Sequence, residues 1–226
     1  MNCDRIARAY RWLEYLGFGR ELERRRFRHL PYVAAARRAL VLGGGDGRFL
    51  ARFLLLHPQA RADYVDCSPR MLRLARARAG AGRVRYLLSD ARSLSLPPET
   101  FDLIVTNFFL DCFDQADALR VVERAARAAK PRAQWLVAEF RPVPWAGPLL
   151  AALYLFFRLA AGLKTRRLVD HHALLARHGF RLEREERSWF GWLTSELWSR
   201  APQQPGLSLG RPTLETGPGA RRGSGT

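Results

Sequence analysis

Hydrophobic residues along this chain fall into short apolar runs separated by amphipathic stretches. Nearly continuous apolar character is typical of strands buried on both faces of a sheet. It marks five predicted strands, at residues 39–42, 62–66, 84–88, 101–106 and 134–140. Two further predicted strands, 180–187 and 189–198, lie close together along the chain, as the members of an antiparallel pair do.

The amphipathic segments predict helices of about 10–15 residues, at positions 48–57, 69–80, 115–129 and 169–178. Pro58, Lys130-Pro131 and Gly179 end three of them, while Ser68 is a predicted N-cap before Pro69. Strands that alternate with helices predict βαβ units with right-handed crossovers. The predicted fold class is therefore α/β, with a doubly wound and mostly parallel sheet.

The segments outside this alternation differ in character. Residues 4–30 carry a broken apolar stripe and predict a helix, so residues 1–38 are expected to form an N-terminal helical cap. Residues 39–200 form the expected Rossmann-like domain, which contains an apolar helical insert at 141–168. Residues 201–226 are rich in Gly, Pro, Ser and Thr, and they are expected to be disordered.

The charge of the chain is strongly positive. It has 226 residues, enough for one α/β domain with a full core, and a formal net charge of +17. Lys130 and Lys164 are its only lysines, so arginine supplies nearly all the positive charge. Two interpretations stay open: a solvated, arginine-heavy surface, or attraction to an anionic partner such as lipid headgroups, nucleic acid or an acidic substrate.

The cysteines and the N-terminus indicate where the protein works. Cys3, Cys67 and Cys112 have no metal-ligand spacing and form no even disulfide set, which suits a reducing compartment. The first residues contain acids and no unbroken apolar core, so they do not resemble a secretory signal. A cytoplasmic location is expected, with membrane association left open by the insert.

A glycine-rich turn follows the first predicted strand directly. Gly43, Gly45 and Gly47 allow a tight turn and close approach of a ligand, and the helix start presents unpaired N–H groups. Asp66 ends the second strand, 19 positions after Gly47. An acid at about this distance accepts hydrogen bonds from ribose hydroxyls in nucleotide-binding sheets. Capping of the next helix is the alternative role.

The successive motifs resemble those of class I S-adenosylmethionine-dependent methyltransferases. They are the glycine turn, the segment 64–72 (YVDCSPRML), Asp90-Ala91 after the third strand, and the segment 101–105. The resemblance covers residues 4–199. It implies a seven-stranded sheet whose last strand is antiparallel, and S-adenosyl-L-methionine as the cofactor. The cofactor-binding residues that it implies are Gly43, Gly44, Gly45, Asp46, Gly47, Asp66, Cys67, Asp90, Ala91 and Asn107.

One position departs from that family. An acid that helps to hold the methionine amino group usually stands two positions before the first glycine, where this chain has Val41. Asp46 and Asp111 are the candidates to replace it. The GGGDG spelling also resembles aminopropyltransferases of the spermidine synthase type. Their catalytic acid has no counterpart in the segment 106–109 (TNFF), which disfavours that alternative.

The acceptor is expected to be small and apolar or aromatic. The chain lacks the Asn-Pro-Pro-aromatic motif of enzymes that act on base amines, and three phenylalanines follow the fourth strand, with core packing as their alternative role. The apolar run 144–157 would reach about 20 Å as a helix, too short for a bilayer core of roughly 30 Å. An interfacial segment, a lid over the acceptor and a buried packing helix all stay open.

The start of the chain, residues 4–10 (DRIARAY), resembles the ubiquinone/menaquinone biosynthesis C-methyltransferases. This favours a quinone-like, phenolic or lipid acceptor, and peripheral contact with an anionic membrane. The candidate catalytic bases are Asp111, Tyr154, His171 and His172, and no metal is expected. Two alternatives remain: a methyltransferase directed at RNA or protein, and a degenerate module that binds the cofactor without catalysis.

Overall fold

A computed structural model describes residues 20–141, 168–188 and 191–200. Seven strands form one sheet: β1 (Arg38–Leu42), β2 (Arg61–Asp66), β3 (Val84–Leu88), β4 (Phe101–Asn107), β5 (Ala129–Phe140), β6 (Phe180–Ser188) and β7 (Leu193–Arg200). Their order in the sheet is β3-β2-β1-β4-β5-β7-β6. The β7 strand is antiparallel to both neighbours, and the pairs among β1 to β5 are parallel. The predicted fold class is confirmed.

The helices lie on both faces of this sheet. They are α1 (Glu21–Phe27), α2 (Arg48–Leu56), α3 (Pro69–Ala79), α4 (Gln115–Ala128) and α5 (His171–Arg177), with short 3₁₀ turns at Leu30–Tyr32 and Leu110–Cys112. The predicted cap of α3 is confirmed, because the Ser68 hydroxyl accepts a hydrogen bond from Met71 N–H. The α4 and α5 helices pack on one face with Trp135 and Ile104. On the other face, Phe53 of α2 and Ala75 of α3 pack with Tyr64 and Leu103.

The α1 helix is tied to the β7 side of the sheet. Arg25 forms a 2.9 Å ion pair with Glu186 of β6, and the Ser195 hydroxyl of β7 donates to the carbonyl of Arg25. At its other side, the Arg26 guanidinium lies 5.3 Å from the centre of the Phe108 ring. The helix therefore reaches from the antiparallel strands to the residue that follows β4.

The predicted element boundaries need four corrections, of which the first is that β7 runs over Leu193–Arg200 rather than 189–198. The β5 strand begins at Ala129 rather than 134, because Ala129 pairs with Phe101 before a register irregularity, and Arg132 has a left-handed φ of 64°. Within the described part of the predicted helix 4–30, α1 ends at Phe27 and a 3₁₀ turn containing Pro31 follows. The α5 helix starts at His171, after Asp170 as its cap, rather than at 169.

The predicted apolar insert and the predicted disordered tail lie outside the described residues, apart from Arg141 and Leu168. In the part of the chain that the structure describes, every helix falls short of the length and apolar character that a bilayer crossing requires.

Gly47 couples the glycine turn to α3. Its φ is +83°, and a Cβ there would lie 2.6 Å from the Ala75 Cα. We expect Gly47→Ala to lower the free energy of unfolding by at least about 1–2 kcal/mol, the cost of the left-handed conformation for an L-residue. Urea denaturation measures this. Gly82→Ala is the control, because a Cβ at Gly82 meets nothing within 4 Å; equal losses in both variants would contradict the assignment.

Candidate active site

The glycine turn lies at the carboxyl ends of three adjacent parallel strands. Gly43 continues β1, and its N–H donates to the Val65 carbonyl of β2 at 2.9 Å. Gly43 and Gly45 have left-handed φ values of 61° and 66°. A Cβ at Gly45 would meet nothing within 4 Å, so the turn has open space beside it. This geometry permits close approach of a ligand to the main chain.

Tyr64 of β2 contacts the glycine turn and stabilises it. Its hydroxyl donates to the Gly45 carbonyl at 2.7 Å, and a Cβ added at Gly44 would lie 2.6 Å from the Tyr64 ring. The side chain is buried beside Val41, the position where the resembled family carries an acid. Burial raises the pKa of the Tyr64 hydroxyl well above its usual value, and the charges of Asp66 and Asp46 add to this. The hydroxyl is therefore a neutral hydrogen-bond donor.

Asp46, a predicted cofactor-binding residue, forms ion pairs with two arginines. Its carboxylate lies 2.7 Å from the Arg78 guanidinium of α3 and 3.1 Å from that of Arg48. Burial opposes its ionisation, but the hydrogen bond from Arg78 and the charges of both arginines outweigh this and lower the Asp46 pKa. The carboxylate therefore stays charged, and its ion pairs connect the turn to Arg48 of α2 and Arg78 of α3.

Asp66 and its neighbours continue the same edge of the sheet. The Asp66 carboxylate is half-buried and accepts from the Ser68 N–H at 2.8 Å, so it contributes to the turn before α3. Cys67 is exposed and disulfide-bonded, contrary to the expectation that the cysteines form no disulfide. Any contact that Cys67 makes with a cofactor would therefore come from its backbone.

The predicted adenine residues follow β3. The Asp90 carboxylate accepts hydrogen bonds from the backbone N–H of Arg92, at 2.9 Å, and from the Arg92 side chain. The hydrogen bond from the Arg92 side chain lowers the Asp90 pKa, so the carboxylate is anionic. Its hydrogen bond with the Arg92 N–H forms an Asx-type turn. Ala91 is buried against Leu94 and the α4 face. This turn is compatible with the cofactor-binding role that the resemblance implies for Asp90 and Ala91.

The end of β4 is polar and strained. Asn107 is buried, and its Nδ2 has no hydrogen-bond partner among the described residues. Phe108 has a left-handed φ of 52°. The half-buried Phe109 ring lies against Gly43, where a Cβ would be 2.0 Å from its Cδ2. A buried, unpaired amide beside an open glycine turn fits a polar ligand such as S-adenosylmethionine.

The three phenylalanines after β4 differ in their roles. Phe108 is buried and packs on Phe140, with ring centroids 5.4 Å apart. Phe113 is also buried, and it meets Phe109 edge to face at 5.0 Å. Core packing, the alternative role for these rings, therefore accounts for Phe108 and Phe113. Phe109 alone of the three is half-buried, at the glycine turn.

Glu139 was missed at the sequence level. It lies near the end of β5 and is fully buried, and its Oε1 accepts from Phe109 N–H at 3.0 Å and Leu110 N–H at 2.8 Å. It therefore fixes the loop that carries Asp111. Burial and the negative charge of Asp111 raise the Glu139 pKa. The available signal was a single acid inside an otherwise apolar strand.

Asp111, a candidate base, is half-buried in the 3₁₀ turn of the loop after β4. Burial raises the pKa of Asp111 to about 6. A hydrogen bond with Cys112 and the charge of His171 act in the opposite direction but do not outweigh burial. Such a value suits a group that exchanges a proton near neutral pH. The electrostatic interaction with His171 shows that two of the predicted candidate bases lie near one another. Tyr154 lies outside the described residues.

His171 and His172 converge on a second missed acid, Glu196 of β7. Their Nε2 atoms lie 3.1 Å and 2.9 Å from its carboxylate oxygens. His171 is buried and His172 is half-buried, so neither is a simple surface cap; Asp170 caps α5 instead. Burial disfavours charge on Glu196, but the two histidine hydrogen bonds outweigh it and hold its pKa far below the usual value.

Comparison with known proteins shows what this chain is similar to. Residues 39–132 match the family model described as a methyltransferase domain. The demethylmenaquinone methyltransferase of Thermus thermophilus is 33% identical over 57% of this chain and 59% of its own length. The phosphatidylethanolamine N-methyltransferase of Cereibacter sphaeroides is 34% identical over 58% of this chain and 65% of its own.

A third relative and one solved structure are also similar to this chain. The ubiquinone/menaquinone biosynthesis C-methyltransferase of Pasteurella multocida is 33% identical over 48% of this chain and 41% of its own length. The chain spans about half the length of the curated relatives it matches. The structure of the mitomycin 7-O-methyltransferase covers 89% of this chain and 61% of its own, with a TM-score of 0.62 and 22% identity. That structural likeness concerns the fold.

The glycine turn, the strand order and the match of residues 39–132 make this chain similar to class I S-adenosylmethionine-dependent methyltransferases, and the cofactor of that class is S-adenosyl-L-methionine. Within the class, the chain resembles the ubiquinone/menaquinone biosynthesis group.

The pKa of His172 provides a direct test of the histidine–glutamate contact. The hydrogen bond to Glu196 raises this pKa above 6.5, although burial opposes it. The pair therefore stabilises the fold fully below pH 6.5, and this contribution is lost as the pH rises through the folded-state value. In a chelator-containing buffer, NMR titration is expected to give a lower His172 pKa in Glu196→Gln.

His57 is the internal reference for that titration. Burial lowers its pKa, and it is the C-cap of α2, outside the His171–His172–Glu196 cluster. Its pKa should be the same in both proteins. An unchanged His172 pKa in a folded Glu196→Gln variant would show that the contact does not form in solution.

Proposed function

We propose that this protein transfers the methyl group of S-adenosylmethionine to a small apolar or aromatic acceptor. The observation that carries the proposal is the open, left-handed glycine turn at the shared carboxyl edge of β1, β2 and β4. The family model described as a methyltransferase domain matches residues 39–132, which include this turn. Methyl transfer from a sulfonium is an in-line displacement, so the main task of the protein is to position its two substrates.

In the proposed complex, the cofactor lies along this edge. The Gly43–Gly47 turn cradles the methionine and ribose portions, and Asp66 accepts hydrogen bonds from the ribose hydroxyls. Asp90 and Ala91 hold the adenine, and Asn107 lies under the sulfonium. Support comes from the position of Asp66 at the end of β2 and from the unpaired, buried Nδ2 of Asn107.

Val41 leaves the methionine amino group without its usual acid, and Asp46 or Asp111 replaces that acid in this proposal. The ion pairs of Asp46 with Arg48 and Arg78 engage its carboxylate already. Asp111 carries no ion pair among the described residues, but its raised pKa of about 6 favours a proton-transfer role. Tyr64 compensates in another way, because its hydroxyl holds the Gly45 carbonyl and fixes the shape of the turn.

The acceptor is proposed to be quinone-like, phenolic or lipid. Phe109 offers a half-buried aromatic surface directly over Gly43, beside the expected position of the methyl group. Relatives named for demethylmenaquinone and phosphatidylethanolamine methylation support an apolar acceptor. The net charge of +17 supports peripheral contact with an anionic membrane that would present such a molecule.

Proton removal accompanies methylation when the acceptor atom carries a proton. The acceptor lone pair forms the new bond to the methyl carbon, the carbon–sulfur bond breaks, and the proton passes to a base. Asp111, His171, His172 and Tyr154 are the candidates. Burial raises the pKa of Asp111 to about 6, which suits this task.

An acceptor screen with radiolabelled cofactor tests the proposal. A demethylated quinone in anionic vesicles is expected to acquire label, and phosphatidylethanolamine vesicles and RNA serve as the competing acceptors. Label in RNA alone would favour the RNA-directed alternative. Binding of S-adenosylmethionine in a calorimetric titration, together with no transfer of label to any of these acceptors, would favour the degenerate module that binds the cofactor without catalysis.

Asp66 is the most direct probe of cofactor binding. Asp66→Asn keeps an oxygen that can accept from the Ser68 N–H but loses the charge that strengthens hydrogen bonds to ribose. We expect the affinity for S-adenosylmethionine, measured by calorimetry, to fall about 10–100-fold. Asp102→Asn is the matched control, because Asp102 lies at the start of β4, on the opposite edge of the sheet. Equal affinities for Asp66→Asn and the wild type would refute the ribose assignment.

The role of Asp111 predicts a pH profile. A base must be ionised, so we expect kcat to rise with pH through about 6, the pKa of Asp111. Asp111→Asn should remove this limb and lower kcat about 10²–10⁴-fold. Glu123→Gln, a change of an exposed residue on α4, is the control. A variant that keeps the wild-type rate and profile would exclude Asp111 as the base.

A further inference from the structure

We propose that His171, His172 and Glu196 form a binding site for one divalent first-row transition ion. This inference does not depend on methyl transfer. One ligand atom from each of these three residues lies within 4.8 Å of the others. Two imidazoles and one carboxylate are the donor set that such ions favour, whereas Mg²⁺ and Ca²⁺ favour oxygen ligands.

The distances between the donors already suit an ion. Zinc binds imidazole nitrogen and carboxylate oxygen at about 2.0–2.2 Å, which separates neighbouring ligand atoms by about 3.3 Å in a tetrahedron. His171 Nε2 lies 3.1 Å from Glu196 Oε2, and His172 Nε2 lies 2.9 Å from Glu196 Oε1. These two separations differ from that value by a few tenths of an ångström, and since the three donors lie within 4.8 Å of one another, rotation of the imidazoles would bring them onto one ion.

The surroundings of the carboxylate are those of a supported ligand. Thr194 Oγ1 donates to Glu196 Oε1 at 2.7 Å, and Trp198 Nε1 donates to Oε2 at 2.8 Å. Both donors are on β7, the strand of Glu196 itself, and they can remain when the histidine nitrogens turn from donors into ligands. Hydrogen bonds of this kind orient metal-binding carboxylates.

Burial and charge favour a cation at this position. Glu196 is fully buried, and Glu139 lies close enough for the Glu196 charge to affect it. Glu139 Oε2 is also buried, without a hydrogen-bond partner among the described residues. A third of the His172 side chain is exposed, at 32%, which gives an ion a route from solvent. Three protein ligands leave at least one coordination position for water or another ligand.

The experiment uses the full, untagged chain after treatment with a chelator. Titration with Zn²⁺, followed by dialysis and elemental analysis, is expected to leave one equivalent bound, and Mg²⁺ should not compete. His172→Ala and Glu196→Gln should each lower the Zn²⁺ affinity at least about 10-fold. His57→Ala removes a histidine outside the cluster, and it should bind as the wild type does.

Two further measurements keep the test decisive if one variant is unstable. Co²⁺ in place of Zn²⁺ should give visible absorption bands of nitrogen and oxygen ligation, lost in His172→Ala. Thr194→Val keeps all three ligands but loses one supporting hydrogen bond, and a 10–100-fold weaker affinity is expected. Absence of a bound equivalent in the wild type, or equal affinity in His172→Ala, would overturn the proposal and leave a hydrogen-bonded cluster only.

Discussion

The parallel pairing of β1 with β2 on one side and β4 on the other is the constraint on which the site depends. Leu42 is in register with Val65 and with Thr106, so the glycine turn, Asp66 and Asn107 begin at the same level of the sheet. All three strands are buried on both faces, and a slip in register would move apolar side chains out of both cores. Hydrophobic burial in the strands therefore fixes the positions of the polar groups at the carboxyl ends of these strands.

Local signals in the sequence were sufficient for the regular elements. The strand at 84–88 has the predicted bounds, and Ser68 with Pro69 starts α3 as expected. The start of β5 was wrong because Lys130-Pro131 has the form of a helix stop followed by a loop. In the folded chain, Ala129 already pairs with β4, and such a pairing over a long sequence distance leaves no local pattern.

The site was less predictable, for a physical reason. The glycine turn and Asp66 follow from spacing, because close approach to a ligand restricts which residues can stand there. Glu139 and Glu196 are each the single acid of a strand, and their importance comes from partners distant in sequence. Glu139 holds the loop after β4, and Glu196 receives His171 and His172 from α5. Whether an isolated acid is solvated or buried is decided only when those partners are placed.

The four donors around Glu196 have a consequence for how the chain folds. Two of them, Thr194 and Trp198, come with β7, but the two histidines come from α5, which precedes β6. Removing this carboxylate from water before α5 has docked would leave a desolvated charge with only half of its partners, at a cost of several kcal/mol. The β7 strand can therefore enter the sheet at low cost only together with α5. The segment from α5 to β7 is thus expected to assemble cooperatively, as one unit added to the parallel sheet.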